Sequence, residues 1–308
     1  MDADDRDLFE RSLRSATERH TGVALDAALA EIGWAEALAI EPEMAVSVLF
    51  ELQGSSGATS RALDIVFEDA LGFDEPVLLP ALGSAAPPGR LEGDRLVVAG
   101  LMLGDATVAV VVVDDHHAVR VNTAELTVRS VQGIDASLGL LEVTGEVTGV
   151  RVDDDAPAWP GAVARAQVAL GHELVGASRA MLAMARQHAL ERVQFGRTIA
   201  GFQAVRHRLA DTLVAIETAA AVLDASWLDG SPLTAAMGKA VAGRSARTAT
   251  RHCQQVLAGI GFTTEHDFHR YLRRTLVLDQ LFGSARTLTR QLGDDLVATR
   301  ELPALVPL

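Results

Sequence analysis

Between Glu191 and His207 the chain reads E-R-V-Q-F-G-R-T-I-A-G-F-Q-A-V-R-H. Arginines, two glutamines and two phenylalanines surround glycines there, between two long alanine- and leucine-rich segments. Glycine lets a backbone turn tightly and approach a ligand closely. A guanidinium beside such a turn matches a phosphate in charge and shape. A second stretch, Gln255 to His266, reads Q-V-L-A-G-I-G-F-T-T-E-H. Each residue taken singly also has a purely structural use. Arg192 at a helix C-terminus favours the macrodipole, Gly259 and Gly261 suit helix C-caps, and Phe195, Phe202 and Phe262 suit a core.

The remaining chemistry-bearing residues are less organised. Asp114-Asp115-His116-His117 holds metal-ligand types. With no second ligand cluster beside it, it reads as a polar turn between strands, and no metal is expected. His252, His266 and His269 read as surface or capping groups. Arg270, Arg273 and Arg274 suit an acidic partner surface or solvent. Glu265 and Glu173 are the carboxylates of the helical C-terminal part that merit attention as bases, and Glu265 equally favours a helix N-terminus.

Composition narrows the function classes. The net charge of −14 opposes nucleic-acid binding, which needs a basic footprint. Cys253, the one cysteine, excludes an internal disulfide and suits a reducing compartment. Met1 leads into Asp2-Ala3-Asp4-Asp5, not into a basic and then apolar leader, so a cytoplasmic location is expected. The longest apolar runs, such as Val108 to Val113, are too short to span a bilayer. Lys239 is the only lysine.

The elements that must hold these residues follow from periodicity. Residues 1–75 read as a helical N-terminal domain, with helices over Asp7–His20, Ala24–Glu31, Glu41–Leu52 and Ala58–Leu71 and a break at Gly54-Ser55-Ser56-Gly57. Met44, Val48 and Leu52 form a core stripe. Residues 76–155 turn to prolines, glycines and β-branched runs. Strands are expected over Arg95–Ala99, Thr107–Val113, Ala118–Val121, Thr127–Val131 and Leu140–Val143, and Asp153-Asp154-Asp155 reads as a solvated linker. Residues 156–308 read as a four-helix bundle. Its helices run Trp159–Glu191, Gln203–Leu228, from Ser231 as N-cap with Pro232 first to about Leu257, and from near Glu265 to about Arg300 with a break at Phe282-Gly283-Ser284.

The pattern R-x-Q-F-G followed by F-Q resembles the flavin-contacting turn of acyl-CoA dehydrogenases. Gln255 to Phe262 resembles that family's Q-x-x-G-G-x-G-F segment, about sixty residues on and in the family order. Ala28–Trp34 looks like its early L-x-E-L-G-W segment, and Leu91–Leu96 like the hairpin before its middle-domain strands. The resemblance implies a mainly α fold with a small β domain: an N-terminal helical domain, here shortened, then a middle β domain and a C-terminal four-helix bundle. It also implies FAD at a subunit interface. Arg192 would pair with the pyrophosphate with Gln194 beside it. Phe195 would pack near the adenine, Gln203 would bond the adenosine half, and Gln255 with the Gly259 backbone would hold the phosphate–ribose region. Ala258 stands where the family often has glycine.

The chain departs from the family where the reaction occurs. No T-E-P-x-A-G-S-D-like motif precedes the strands. α,β-Dehydrogenation needs a carboxylate base to take the α-proton of the thioester. Ungapped counting puts Phe282 at one usual base position and Ala166 at the other, with Gln167 in place of a coenzyme A-holding arginine. No catalytic residue is therefore expected in this chain. The resemblance implies the short subunit of a heterotetrameric α2β2 enzyme of the actinobacterial type. A full-length acyl-CoA dehydrogenase subunit would share the FAD and supply the base, the substrate would be an acyl-CoA, steroid-derived in several such assemblies, and an electron-transfer flavoprotein would take the electrons. The competing readings are a homo-oligomeric enzyme with a displaced base such as Glu265, a scaffold relative that no longer binds flavin, and a lyase use of the bundle.

Overall fold

The structure is a computed structural model that describes residues 3–152 and 158–300; the Asp153–Asp155 linker lies outside the described residues. Five helices come first: α1 (Ala3–Arg19), α2 (Val23–Ile32), α3 (Trp34–Ile40), α4 (Pro42–Ser56) and α5 (Ala62–Leu71). Asp4 and Asp5 begin α1 and Arg19 ends it, as the helix dipole favours. Pro42 opens α4 at a position where its missing N–H costs nothing. Trp34, absent from the expected helices, starts α3 and donates its indole N–H to the Ala45 carbonyl (2.9 Å), fixing α3 on α4. The expected stripe lies at the edge of the core. Leu52 is buried, but Met44 and Val48 are half-buried beside the fully buried Ala45, Val46, Leu49 and Phe50.

The expected break at Gly54 is a correction. α4 runs through Gly54, Ser55 and Ser56 and stops only at Gly57, whose positive φ of 72° caps it. Gly54 is there for packing. A Cβ on it would lie 2.1 Å from the Glu173 carbonyl, and a Cβ on Gly176 would lie 2.1 Å from the Glu51 carbonyl. The two helices meet backbone to backbone.

Seven strands follow: β1 (Leu79–Pro80), β2 (Gly89–Glu92), β3 (Arg95–Leu103), β4 (Val108–Val112), β5 (Ala118–Asn122), β6 (Thr127–Ser130) and β7 (Leu140–Thr148). β3 pairs antiparallel with β7 along its whole length, from Arg95 opposite Thr148 to Leu103 opposite Leu140. β1 and β2 also pair with β3, and β6 flanks β7. β4 and β5 form a separate hairpin whose turn is Asp114–His117. There the Asp114 carboxylate accepts the His116 and His117 N–H groups (2.8 and 2.9 Å), an Asx-type turn.

The bundle starts with α6 (Trp159–Glu191), continues through a short hairpin, β8 (Val193–Gln194) and β9 (Arg197–Thr198), to α7 (Gln203–Asp229) and α8 (Pro232–Leu257), and ends with α9 (Phe268–Gln280) and α10 (Ala285–Thr299). The Ser231 side chain caps α8 by accepting the Thr234 N–H (3.3 Å). The fourth bundle helix starts at Phe268, three residues later than Glu265, and is two helices. Phe282 (φ 54°) and Gly283 (φ 93°) are left-handed, and Ser284 caps α10 through the Thr287 N–H (3.1 Å). One hydrophobic core runs from Leu13 through Phe50 and Phe67 to Leu174 and Phe282, so α1–α5 and the bundle share an interior. A second core fills the sheet.

Candidate functional site

The expected helix-to-helix turn is a β-hairpin. Arg192 ends α6 in an extended conformation, and its carbonyl accepts the Ile199 N–H (2.8 Å). Phe195 (φ 53°) and Gly196 (φ 78°) are both left-handed, which is the two-residue turn that matches strand twist. Glycine takes this geometry freely, whereas a phenylalanine there is strained. Phe195 is 91% exposed, and its ring meets Phe202 edge-on at 6.1 Å. Arg197 lies 4.3 Å over the Phe202 ring. Gln203 begins α7 beside them, and Arg192, Gln194 and Gln203 are all exposed. The hairpin thus projects guanidinium, amide and aromatic groups outward.

Gln255 and Gly259 lie at the same end of the bundle. Ile199, Ala200 and Val205, around the hairpin, pack on the cluster that holds Cys253, Val256 and Leu257 of α8. His188 of α6 is held below its usual pKa by burial, then by the positive field of Arg192 and His266. α8 ends at Ala258, with φ 53° and ψ −134°, a conformation suited to glycine and strained by a Cβ. Gln255 and Phe262 line a cleft of about 300 Å³ between α8 and α9, together with Thr250, Arg247, Arg251 and Gln254. The hairpin residues do not line it. The buried Cys253 thiol, pushed up to about 12 by desolvation, is no nucleophile. Glu265 is exposed in the loop before α9, while Phe282 follows that helix. Thirteen helical residues put about 20 Å between them.

Phe282 and Ala166, which ungapped counting sets at the base positions, both lie in the interior. Phe282 is 1% exposed. Its ring meets Phe67 of α5 edge-on at 5.0 Å, and Phe67 meets Trp159 at 5.2 Å. Ala166 is fully buried, and the next residue, Gln167, donates its amide to the Phe282 carbonyl (3.0 Å). Lys239 reaches the same break from α8, donating to the carbonyls of Asp279 and Gly283 (both 3.2 Å). Complete burial pushes it down to about 8. The Phe67 ring and the Gln167 amide therefore hold Phe282, and the Lys239 ammonium holds the carbonyls of Asp279 and Gly283 around it.

Sequence reasoning missed the role of Arg274, treated as a surface or partner-facing cation. It is buried. Its Nε donates to Asp135 (2.6 Å), Nη1 to the Ala58 carbonyl (3.0 Å) and Glu173 (3.3 Å), and Nη2 to the Ser137 hydroxyl (3.2 Å). It thereby joins the α4–α5 connection, the β6–β7 loop and the bundle. Burial works to raise Asp135, but hydrogen bonds from Ser137 and Arg274 outweigh it and hold its carboxyl below the usual range. Complete burial dominates at Glu173 and pushes it up to about 7 despite Arg274. Asp135 is the ionised partner of the two. The only cue in sequence was an arginine at helical spacing from Tyr271 and Leu278, which does not reveal two carboxylates remote in the chain.

Residues 161–297 match the acyl-CoA dehydrogenase C-terminal domain. The acyl-CoA dehydrogenase IpdE2 of Mycobacterium tuberculosis is 28% identical over 95% of this chain and 97% of its own length. The ChsE4–ChsE5 complex from Mycobacterium tuberculosis superposes with a TM-score of 0.77 at 18% identity, covering 99% of both chains. A Tcur3481–Tcur3483 steroid ACAD variant superposes at 0.75 with 21% identity, covering 96% of both. Those two likenesses show the fold. Among the described residues no helix is long and apolar enough to cross a membrane. Residues 161–297 thus form a domain of the acyl-CoA dehydrogenase C-terminal type.

Proposed function

We propose that this chain is the short, non-catalytic subunit of a heteromeric, FAD-dependent acyl-CoA dehydrogenase. The observation that carries the reading is the burial of Phe282 against Phe67, at the position that the family resemblance assigns to a carboxylate. A phenyl ring moves no proton. The base therefore belongs to a full-length partner subunit. Glu265, exposed and a helix length away, is poorly placed to replace it.

The outward-facing groups fit an interface role toward FAD. Arg192 carries the charge and fork geometry for a pyrophosphate. Gln194, Gln203 and Gln255 carry amides for ribose and base edges, Phe195 an exposed ring for the adenine, and Gly259 a backbone with open space at its Cα. These residues would bind and orient the cofactor's nucleotide half across the interface, and the hairpin would help exclude water from it. Bound FAD supplies the hydride acceptor for forming the α,β-double bond of an acyl-CoA. The name of the Tcur3481–Tcur3483 relative supports a steroid-derived acyl group, and the ChsE4–ChsE5 complex supports assembly with a second dehydrogenase subunit. An electron-transfer flavoprotein would then take the electrons, and the assembly would be cytoplasmic.

The test is the visible flavin spectrum of the chain purified alone and co-purified with a full-length homologue. The expected result is a colourless chain alone and a yellow complex with one flavin per heterodimer. A chain that is yellow alone and bleached by an acyl-CoA overturns the reading and makes Glu265→Gln the next variant.

A further inference from the structure

We infer that the outer face of α7 pairs with the same face of a second copy of this chain, antiparallel about a two-fold axis. The contact uses none of the residues of the flavin reading and stands without it.

α7 is 27 residues long and packs on α6 and α8. It buries one narrow stripe, Thr212, Ile216, Ala219, Leu223 and Ser226, whose spacing is that of a single helix face. The opposite side is open and apolar in its middle. Val214 is 66% exposed and Leu213 49%, with Ala210 and Ala221 exposed beside them. An apolar patch left in water on a long helix marks a docking surface. Charge decides the occupant. The N-terminal end of this face carries the exposed Arg206 and the C-terminal end the exposed Asp224. They are 18 residues apart in the sequence, which is about 27 Å along a helix, so they cannot meet within one chain. Neither side chain has a partner among the described residues. Each lies nine residues from Ala215. An antiparallel copy centred there sets Arg206 of each chain beside Asp224 of the other, twice, with Leu213 and Val214 at the centre. A face that is basic at one end, apolar in the middle and acidic at the other is complementary to itself, which is what a two-fold contact requires. Glu217 lies near that centre but stands 3.4 Å from Arg179 of its own chain, so the two copies do not bring bare like charges together.

The experiment is sedimentation velocity on the full chain alone and on its complex with a full-length homologue. The variants are Val214→Glu, Arg206→Glu, Asp224→Arg and the double reversal. All three side chains are exposed, and thermal melts establish that the variants fold. The wild-type chain is expected to be a dimer at micromolar concentration and Val214→Glu a monomer. Each single reversal sets two like-charge contacts and is expected to weaken the dimer about tenfold, and the double reversal is expected to restore it. In the complex, wild type is expected to contribute two copies of this chain and Val214→Glu one, with equal flavin per chain. The proposal is overturned if the wild-type chain alone is a monomer, or if the double reversal does not recover what the single reversals lose. It is also overturned if Val214→Glu no longer binds the full-length homologue, which would give the face to that partner. Flavin content is read separately. A complex without flavin overturns the flavin reading and leaves the mass of Val214→Glu to decide the α7 contact.

Discussion

Phe282 concentrates the chemistry of this chain into one side chain. Its ring meets Phe67 edge-on, Phe67 meets Trp159 in the same way, and its carbonyl is held by Gln167. Restoring a carboxyl there is therefore different from restoring a base. Phe282→Glu removes a buried ring and places an acid where no partner is arranged for it. The expected cost is about 3–5 kcal/mol, the range for losing a buried aromatic, with a further penalty for the unpaired carboxyl. Urea unfolding measures it, and acyl-CoA turnover by the variant alone is expected to be nil. Wild-type stability together with turnover would mean that the ring has no structural role and that the position can carry the base.

At the scale of elements, the α4–α6 contact sets how the N-terminal helices sit on the bundle. Gly54 and Gly176 allow it reciprocally, each lying against the other helix's carbonyls. Gly176→Ala is expected to force the helices apart and lower stability by about 1–3 kcal/mol or more, because backbone on both sides has nowhere to move. Gly161→Ala on the same helix is the control. Nothing lies within 4 Å of its added methyl, and the higher helix propensity of alanine is expected to leave stability unchanged or raise it by up to about 1 kcal/mol. Equal thermal midpoints for the two variants would contradict the close crossing.

For the molecule as a whole, Arg274 is the junction of three segments, and Glu173 makes that junction sensitive to pH. The charged groups facing Glu173 are Arg274 and, through it, Asp135. An acid whose folded pKa is raised from 4.5 to about 7 binds a proton in the folded state that the unfolded chain has released between those values. Its contribution is fully present below about pH 4.5 and is lost as pH rises through about 7. The fall is up to about 3 kcal/mol, from roughly 2.5 pK units at 1.36 kcal/mol each. Asp64, also raised by burial, acts in the same direction. The difference between wild type and Glu173→Gln therefore isolates Glu173. Urea midpoints between pH 4.5 and 7.5 are expected to fall more steeply for wild type. Parallel curves would mean that Glu173 stays ionised beside Arg274.

The sequence by itself determined the order of elements and most of their limits. α6, α7 and α8 follow from apolar periodicity and from the Gly230-Ser231-Pro232 punctuation, because caps and helix period are local properties. The strands are legible as β-branched runs, but β3 and β7 extend beyond the expected ends, because a strand's length is set by its partner. The hairpin at Phe195–Gly196 escaped detection, since two-residue strands carry no period. The family-like motifs were readable as residue types. That Arg192, Gln194, Phe195 and Gln203 are exposed together, and that Gln255 shares a cleft with Arg251, needed the fold. Tertiary structure alone turned Gly54 from a break into a helix crossing, Arg274 from a surface cation into a buried node, and Phe282 from a position expected to lack a base into a ring packed edge-on against Phe67. In each case the deciding partner is more than a hundred residues away in the chain, and burial against such a partner leaves no local pattern to read.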